Sequence, residues 1–154
     1  MLSKIIKSAL LLSIFCIPVL SHGLGRMEEN MVSVTDIQGK IWKLEEVRTG
    51  QNAVRINAAG GNQVYTIRFE AERIDGVGAP NRYFGPWTDN GGNSLSIGLV
   101  GSTMMASLFE RDDLKEQEYF NFLGKVFKWE LRNGKLELYT LNENNAEAVL
   151  IYTE

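Results

Sequence analysis

Cys16 and His22 are the only thiol and the only imidazole in the 154-residue chain, and both precede position 24. Nucleophilic catalysis by serine or cysteine needs an imidazole or a substitute base beside the nucleophile, so the fate of the N-terminal segment decides which chemistries remain. Lys4 and Lys7 make a basic start, and residues 8–20 are an almost uninterrupted apolar run with Pro18 near its end. Ser21-His22-Gly23 then places small residues three and one before a cut after Gly23. That order is the order of a secretory signal peptide, and the apolar run is shorter than the roughly 20 residues a membrane-spanning helix requires. Lipid attachment at Cys16 would need a small residue before it, and Phe15 stands there, so Cys16 reads as one more apolar member of the signal. The sequence predicts an exported chain: 1–23 signal peptide, 24–35 flexible tether, 36–154 one domain.

Cleavage after Gly23 removes every sulfhydryl and imidazole, and with them disulfides, thiolate nucleophiles and histidine bases or ligands. Gly101-Ser102-Thr103 lacks the context of a nucleophile elbow. Zinc would have only carboxylates to hold it, and no cofactor is expected. The mature chain keeps 14 basic residues against all 19 acidic ones, a formal charge near −5, which suits a nucleic-acid backbone poorly. Asp89-Asn90-Gly91-Gly92-Asn93 begins like a calcium loop but carries Gly at the second ligand position and lacks the closing Glu. Gly76-Val77-Gly78 is followed by polar and aromatic strand residues, whereas a phosphate loop must open a helix. Glu70 and Glu72 share a predicted strand face with Asp75 nearby. Two carboxylates facing one cleft about 5–10 Å apart would be the one remaining route to glycosidase-type chemistry, and charges that protect a strand edge are the plainer account.

The elements that must position these residues are mostly strands. Alternation marks 41–44 with Trp42 and Leu44 on one face, 64–70 with Tyr65, Ile67 and Phe69 together, and 127–131. A weak strand is expected at 53–57, and further strands at 73–77, 83–87, 95–100, 136–138 and 148–152. Asn133-Gly134 is a two-residue hairpin turn, and Asp89 to Asn93 a longer one. Asp113 with Glu116 fits a capping box, and Tyr119, Phe120, Leu123, Val126 and Phe127 recur at helical spacing; residues 104–108 suit a preceding turn or short helix. The class is mainly β (α+β), with one late helix. Trp42, Tyr83, Phe84, Trp87 and Trp129 either fill a core or wall a ligand pocket at one end. The polar neighbours of Trp42 and Trp129 predict core for those two.

The run Gly78-Ala79-Pro80-Asn81-Arg82-Tyr83-Phe84-Gly85-Pro86-Trp87 resembles the signature of the META/HslJ-like family, a Gly-Cys-Asn triplet followed by an aromatic and a Gly. Ser102-Thr103-Met104-Met105-Ala106-Ser107 resembles its second block, Ser-Thr-x-Met-Ala-Cys. Trp42-x-Leu44, Phe122-Leu123, Leu136-x-Leu138 and a closing apolar strand fall in the family's order, so the resemblance covers about 39–152. It implies a small antiparallel β-barrel-like fold with a late helix, and Trp42, Leu44, Asn81, Tyr83, Gly85, Thr103 and Met105 as structural motif positions. It also implies an exported bacterial protein, lipid-anchored or periplasmic, in a family with some members linked to heat shock or to secretion and motility and with no established enzymatic activity. Both family cysteines are replaced, by Pro80 and Ser107. The resemblance implies that these two are neighbours, with Cα atoms within about 4.4–6.8 Å. The expected function is a binding or stress-response module whose partner is an envelope protein or a small ligand. A small-ligand carrier with a lipocalin-like cavity, a carboxylate-dependent hydrolase and an inhibitor of a secreted enzyme are the rivals.

Intact-mass measurement on protein from the native host should find a chain beginning at Leu24, because Ser21 and Gly23 are the small pair nearest the apolar run. A species that retains Met1, or one that begins at a lipidated Cys16, contradicts the cleavage site.

Overall fold

The computed structural model describes residues 32–56, 64–105 and 111–154. Among these, ten strands follow in chain order: β1 Ile41–Thr49, β2 Asn52–Arg55, β3 Tyr65–Phe69, β4 Arg73–Gly78, β5 Arg82–Gly91, β6 Ser94–Ile97, β7 Gly101–Ser102, β8 Lys128–Arg132, β9 Lys135–Leu141 and β10 Glu147–Thr153. One α-helix, α1 Glu116–Leu123, lies between β7 and β8, and a short 3-10 turn, Val34–Asp36, precedes β1. Ser33 caps that turn, so regular structure reaches into the end of the segment expected to be a tether.

Eight strands close into an antiparallel barrel in the order β1-β3-β4-β5-β6-β8-β9-β10, with β10 pairing back onto β1. β2 lies outside the ring on β1, and β7 continues the β6 edge of β5. Strict alternation builds the wall: every second residue of β3 and β9 is buried, as the period of a half-buried strand demands. Trp42, Leu44, Tyr65, Ile67, Phe69, Trp129, Leu136 and Leu138 all face inward, the faces expected for them. At the β8–β9 turn Asn133 and Gly134 adopt φ of 52° and 75°, the left-handed pair that a two-residue hairpin requires.

The interior is filled. Tyr119 and Leu123 of α1 are fully buried beside Trp42, Tyr83, Leu95 and Tyr152. Tyr83 and Tyr119 hydroxyls reach the Thr66 carbonyl at 2.7 and 3.4 Å, and the Tyr152 hydroxyl donates to that of Tyr119 at 3.2 Å. This approach is the reason for Gly76-Val77-Gly78. A Cβ on Gly76 would sit 2.0 Å from the Thr66 oxygen, and one on Gly78 2.7 Å from the Phe120 ring. The pair of glycines makes room for packed neighbours rather than for a phosphate.

The helix departs from its expected bounds. Its N-cap is Lys115 rather than Asp113, and it stops at Leu123 with Val126 and Phe127 beyond it. Other bonds take up both carboxylates. The Asp113 carboxylate accepts from Arg111 and from the Leu114 amide, while the Glu116 carboxylate accepts from Asn81. At the other end the Thr140 hydroxyl donates to the Phe122 carbonyl at 2.6 Å, satisfying one of the carbonyls that a helix end leaves open. β6 also ends at Ile97, short of the expected 100, because the chain leaves the ladder there before rejoining β5 as β7.

Trp42 and Trp129 are both buried, but only one is satisfied. Trp42 Nε1 donates to the Ile37 carbonyl at 2.9 Å; Trp129 Nε1 has no acceptor among the described residues. Both Trp→Phe changes lose comparable volume, and only Trp42→Phe strands a carbonyl. Trp42→Phe should therefore cost about 1–2 kcal/mol more than Trp129→Phe in urea unfolding. Equal losses, or a larger loss at Trp129, would contradict this assignment.

Candidate functional site

The motif residues converge on one side chain. Asn81, in the turn between β4 and β5, is buried although polar. Its Oδ1 accepts from the Thr103 hydroxyl at 2.8 Å and the Met105 amide at 2.7 Å. Its Nδ2 donates to Glu116 Oε2 at 2.8 Å and to the Met105 carbonyl at 3.2 Å, and its own backbone amide donates to Glu116 Oε1 at 3.0 Å. The Thr103 hydroxyl also accepts from the Arg82 amide at 3.2 Å. Asn81 thus clasps the β4–β5 turn, the segment after β7 and the first turn of α1.

The clasp fixes the Met105 backbone while leaving its side chain outside. Met105 is 59% exposed and Met104 99%. Two surface grooves flank Met105 and Pro80. One, of about 310 Å³, has Tyr65, Arg111, Lys115 and Glu116 on its walls; the other, of about 340 Å³, has Val64, Val77 and Arg82. Arg111 lies 5.7 Å over the Tyr65 ring and pairs with Asp113. Hydrogen bonding to Arg111 holds the Asp113 carboxyl below the usual range and raises Arg111 in turn. A third groove, of about 610 Å³, runs between α1 and the chain from Gly98 to Ser102.

The other expected sites resolve differently. Trp42, Leu44 and Tyr83 are core residues. Gly85 sits under the chain that links β6 to β7, where an added Cβ would meet the Leu99 carbonyl at 3.0 Å. Of the five aromatics considered as pocket walls, four are buried and Phe84 is 62% exposed, and none of them lines the three grooves described above. Glu70 and Glu72 do not share a strand face, because both lie in the turn between β3 and β4. Glu70 and Asp75 instead grip Arg68, at 3.1 and 3.0 Å, so their charge is spent on a cation. Pro80 follows a cis peptide bond. Ser107 lies outside the described residues, and so does its expected proximity to Pro80. Among the described residues no three acidic or metal-binding side chains gather. The involvement of Glu116 was not legible, since its partner is 35 residues away.

The architecture defines the class: a closed antiparallel barrel against which one helix packs a single buried face. A family model described as the META domain matches residues 35–153, and the chain belongs to that family. A solved structure, the NMR structure of a protein from Burkholderia xenovorans, is similar at a TM-score of 0.57 and 19% identity, over 77% of this chain and 85% of that one. That likeness concerns the fold. A search of functionally curated proteins gave no significant match.

The chain has five tyrosines, and all of them are held neutral beyond their ordinary range. Burial pushes Tyr119 up to about 12 and holds Tyr65, Tyr83 and Tyr152 well above 10. Partial burial and a hydrogen bond to Glu137 take Tyr139 to about 12. Folded-state values above the unfolded value near 10 favour the neutral hydroxyl in the fold. The stability they contribute is intact below about pH 10 and is lost as pH rises beyond it. Tyrosinate absorbance should therefore appear together with loss of the β-sheet circular dichroism signal. A tyrosinate step near pH 10 in a still-folded chain would show that at least one hydroxyl is misplaced.

Proposed function

We propose that the chain is exported to the bacterial envelope and acts there by binding a partner, without catalysis. The observation that carries this reading is the state of its motif side chains. Asn81 spends all its hydrogen-bonding capacity on Thr103, Met105 and Glu116, and Tyr83 spends its hydroxyl on Thr66 and Tyr119. Groups that are saturated internally shape a surface rather than attack a substrate. What they present is an exposed edge, with Leu99, Met104 and Met105 open to solvent and grooves on either side of Met105. The basic, apolar and small-residue order of residues 1–23 supports export. No helix among the described residues is long and apolar enough to cross a membrane. A carrier with an interior cavity is the weaker reading, because buried aromatic side chains, Tyr119 of α1 among them, occupy the barrel.

Export should place the chain, at its cleaved mass, in the envelope fraction of the native host. Chemical cross-linking in that fraction followed by affinity purification should then recover a partner in stoichiometric amount, and substitution of Met104 and Met105 by Asp should reduce its recovery. Cytoplasmic location at full length, or turnover of a substrate by the purified chain, would overturn this reading.

A further inference from the structure

The barrel closes through unequal seams. β1 and β10 pair at six positions, whereas β6 and β8 register only at Ser94↔Lys128, reinforced by the Trp129 amide donating to the Asn93 carbonyl at 2.8 Å. Beyond Ser94, α1 stands where β8 would have continued. The register shows which backbone groups this leaves open. Gly98 donates to the Pro86 carbonyl at 2.8 Å and Thr103 to the Arg82 carbonyl at 2.9 Å, so both face β5. Ile97 and Ser102 alternate with them and turn their N–H and C=O groups away from β5, and among the described residues no strand pairs them on that side. The 610 Å³ groove lies along this edge, with Leu99 and Ser102 on one wall and Gln117, Phe120 and Asn121 on the other.

We propose that this groove binds an extended peptide segment of a partner protein, which adds as a strand to the free edge between Ile97 and Ser102 in line with β8. The site deepens the reading of the chain as a binding module and rests on it. Outward N–H and C=O groups along a strand edge are matched by an extended backbone. The new strand would continue an existing antiparallel pairing at Ser94↔Lys128 rather than start one. Residues 98–100 lie outside any strand, so the edge consists of the end of β6, a short connecting segment and β7. Leu99, 92% exposed, offers apolar contact on the rim. The amides of Gln117 and Asn121, which bond each other at 3.2 Å, line the helical wall. The ligand class is therefore an extended segment of alternating apolar and polar residues.

A random heptapeptide library displayed on phage and selected against the purified chain tests this. Enriched peptides should alternate apolar and polar residues, and N-methylation of alternate residues should weaken them at least tenfold. Ser102→Pro removes an N–H that faces the groove and spares the bonds to β5, as edge positions allow; it should weaken binding at least tenfold. Leu99→Asp, at a position 92% exposed, should do the same with an unchanged melting temperature, and decides the matter if Ser102→Pro does not fold. Absence of enrichment, or enriched peptides indifferent to N-methylation and to Leu99→Asp, overturns the proposal. A partner from the envelope fraction that binds Leu99→Asp and wild type equally would sink the groove while leaving the binding-module reading intact.

Discussion

A primary amide has two donor hydrogens and two acceptor lone pairs, and in Asn81 all four are used inside the protein. No other side chain of similar size supplies that pattern. An aspartate would offer no donor to Glu116, and an apolar residue would leave the Met105 amide and carbonyl, the Thr103 hydroxyl and the Glu116 carboxylate short of a partner. Each buried group left unpaired costs about 1–3 kcal/mol, a sizeable part of the 5–15 kcal/mol by which domains are usually stable. The clasp holds the parts of the molecule that have no ladder of their own: the β4–β5 turn, the chain after β7 and the start of α1. Beside it Ala79 has φ of 51°, in the left-handed region that costs an L-residue roughly 1–2 kcal/mol. The glycine of the family triplet falls on that position, where the strain would vanish.

Seating the helix has consequences inside the barrel. Once Glu116 is fixed at Asn81, Tyr119 lies against Tyr65 and Tyr83, with ring centroids at 4.8 and 5.8 Å. The buried hydroxyls of Tyr83, Tyr119 and Tyr152 must then satisfy one another, and they do so around the carbonyl of Thr66. Burying an unpaired hydroxyl is costly, so the tyrosines and α1 form a unit in which removal of one member leaves the others short. The glycines of β4 belong to that unit. Their lack of Cβ lets Thr66, Tyr83 and Phe120 close to contact distance.

Strand alternation, the Asn133-Gly134 turn and the inward placement of Trp42 and Trp129 were legible because each is fixed by residues close in sequence. The period of two does not depend on what lies across the sheet. Barrel closure came only from the family resemblance, since β1 and β10 meet from opposite ends of the domain. The helix start was misjudged for a definite reason. Asp113 and Glu116 have the spacing of a capping box, but Arg111 engages one carboxylate and Asn81 the other. The carboxylates at 70–75 looked available for chemistry because nothing in the sequence says that Arg68 sits between them. Asn81 itself could be picked out by resemblance, but its role as a clasp depends on groups up to 35 residues away.

The same geometry links the clasp to the weak seam. Residues that might have extended β8 upstream are spent on the end of α1 and on the bonds that terminate it, Lys125 to the Phe122 carbonyl and Val126 to the Leu123 carbonyl. A helix anchored at its N-terminus by Asn81 and at its C-terminus by Thr140 cannot unwind to complete the β6–β8 ladder without giving up both anchors and the tyrosine unit. The open edge is thus held open by interactions elsewhere in the barrel. Closing it would cost more buried hydrogen bonds than the few ladder bonds it would gain, each worth about 0.5–1.5 kcal/mol net. A strand edge fixed in this way is pre-organised: an incoming segment pays for its own ordering but not for rearranging the barrel.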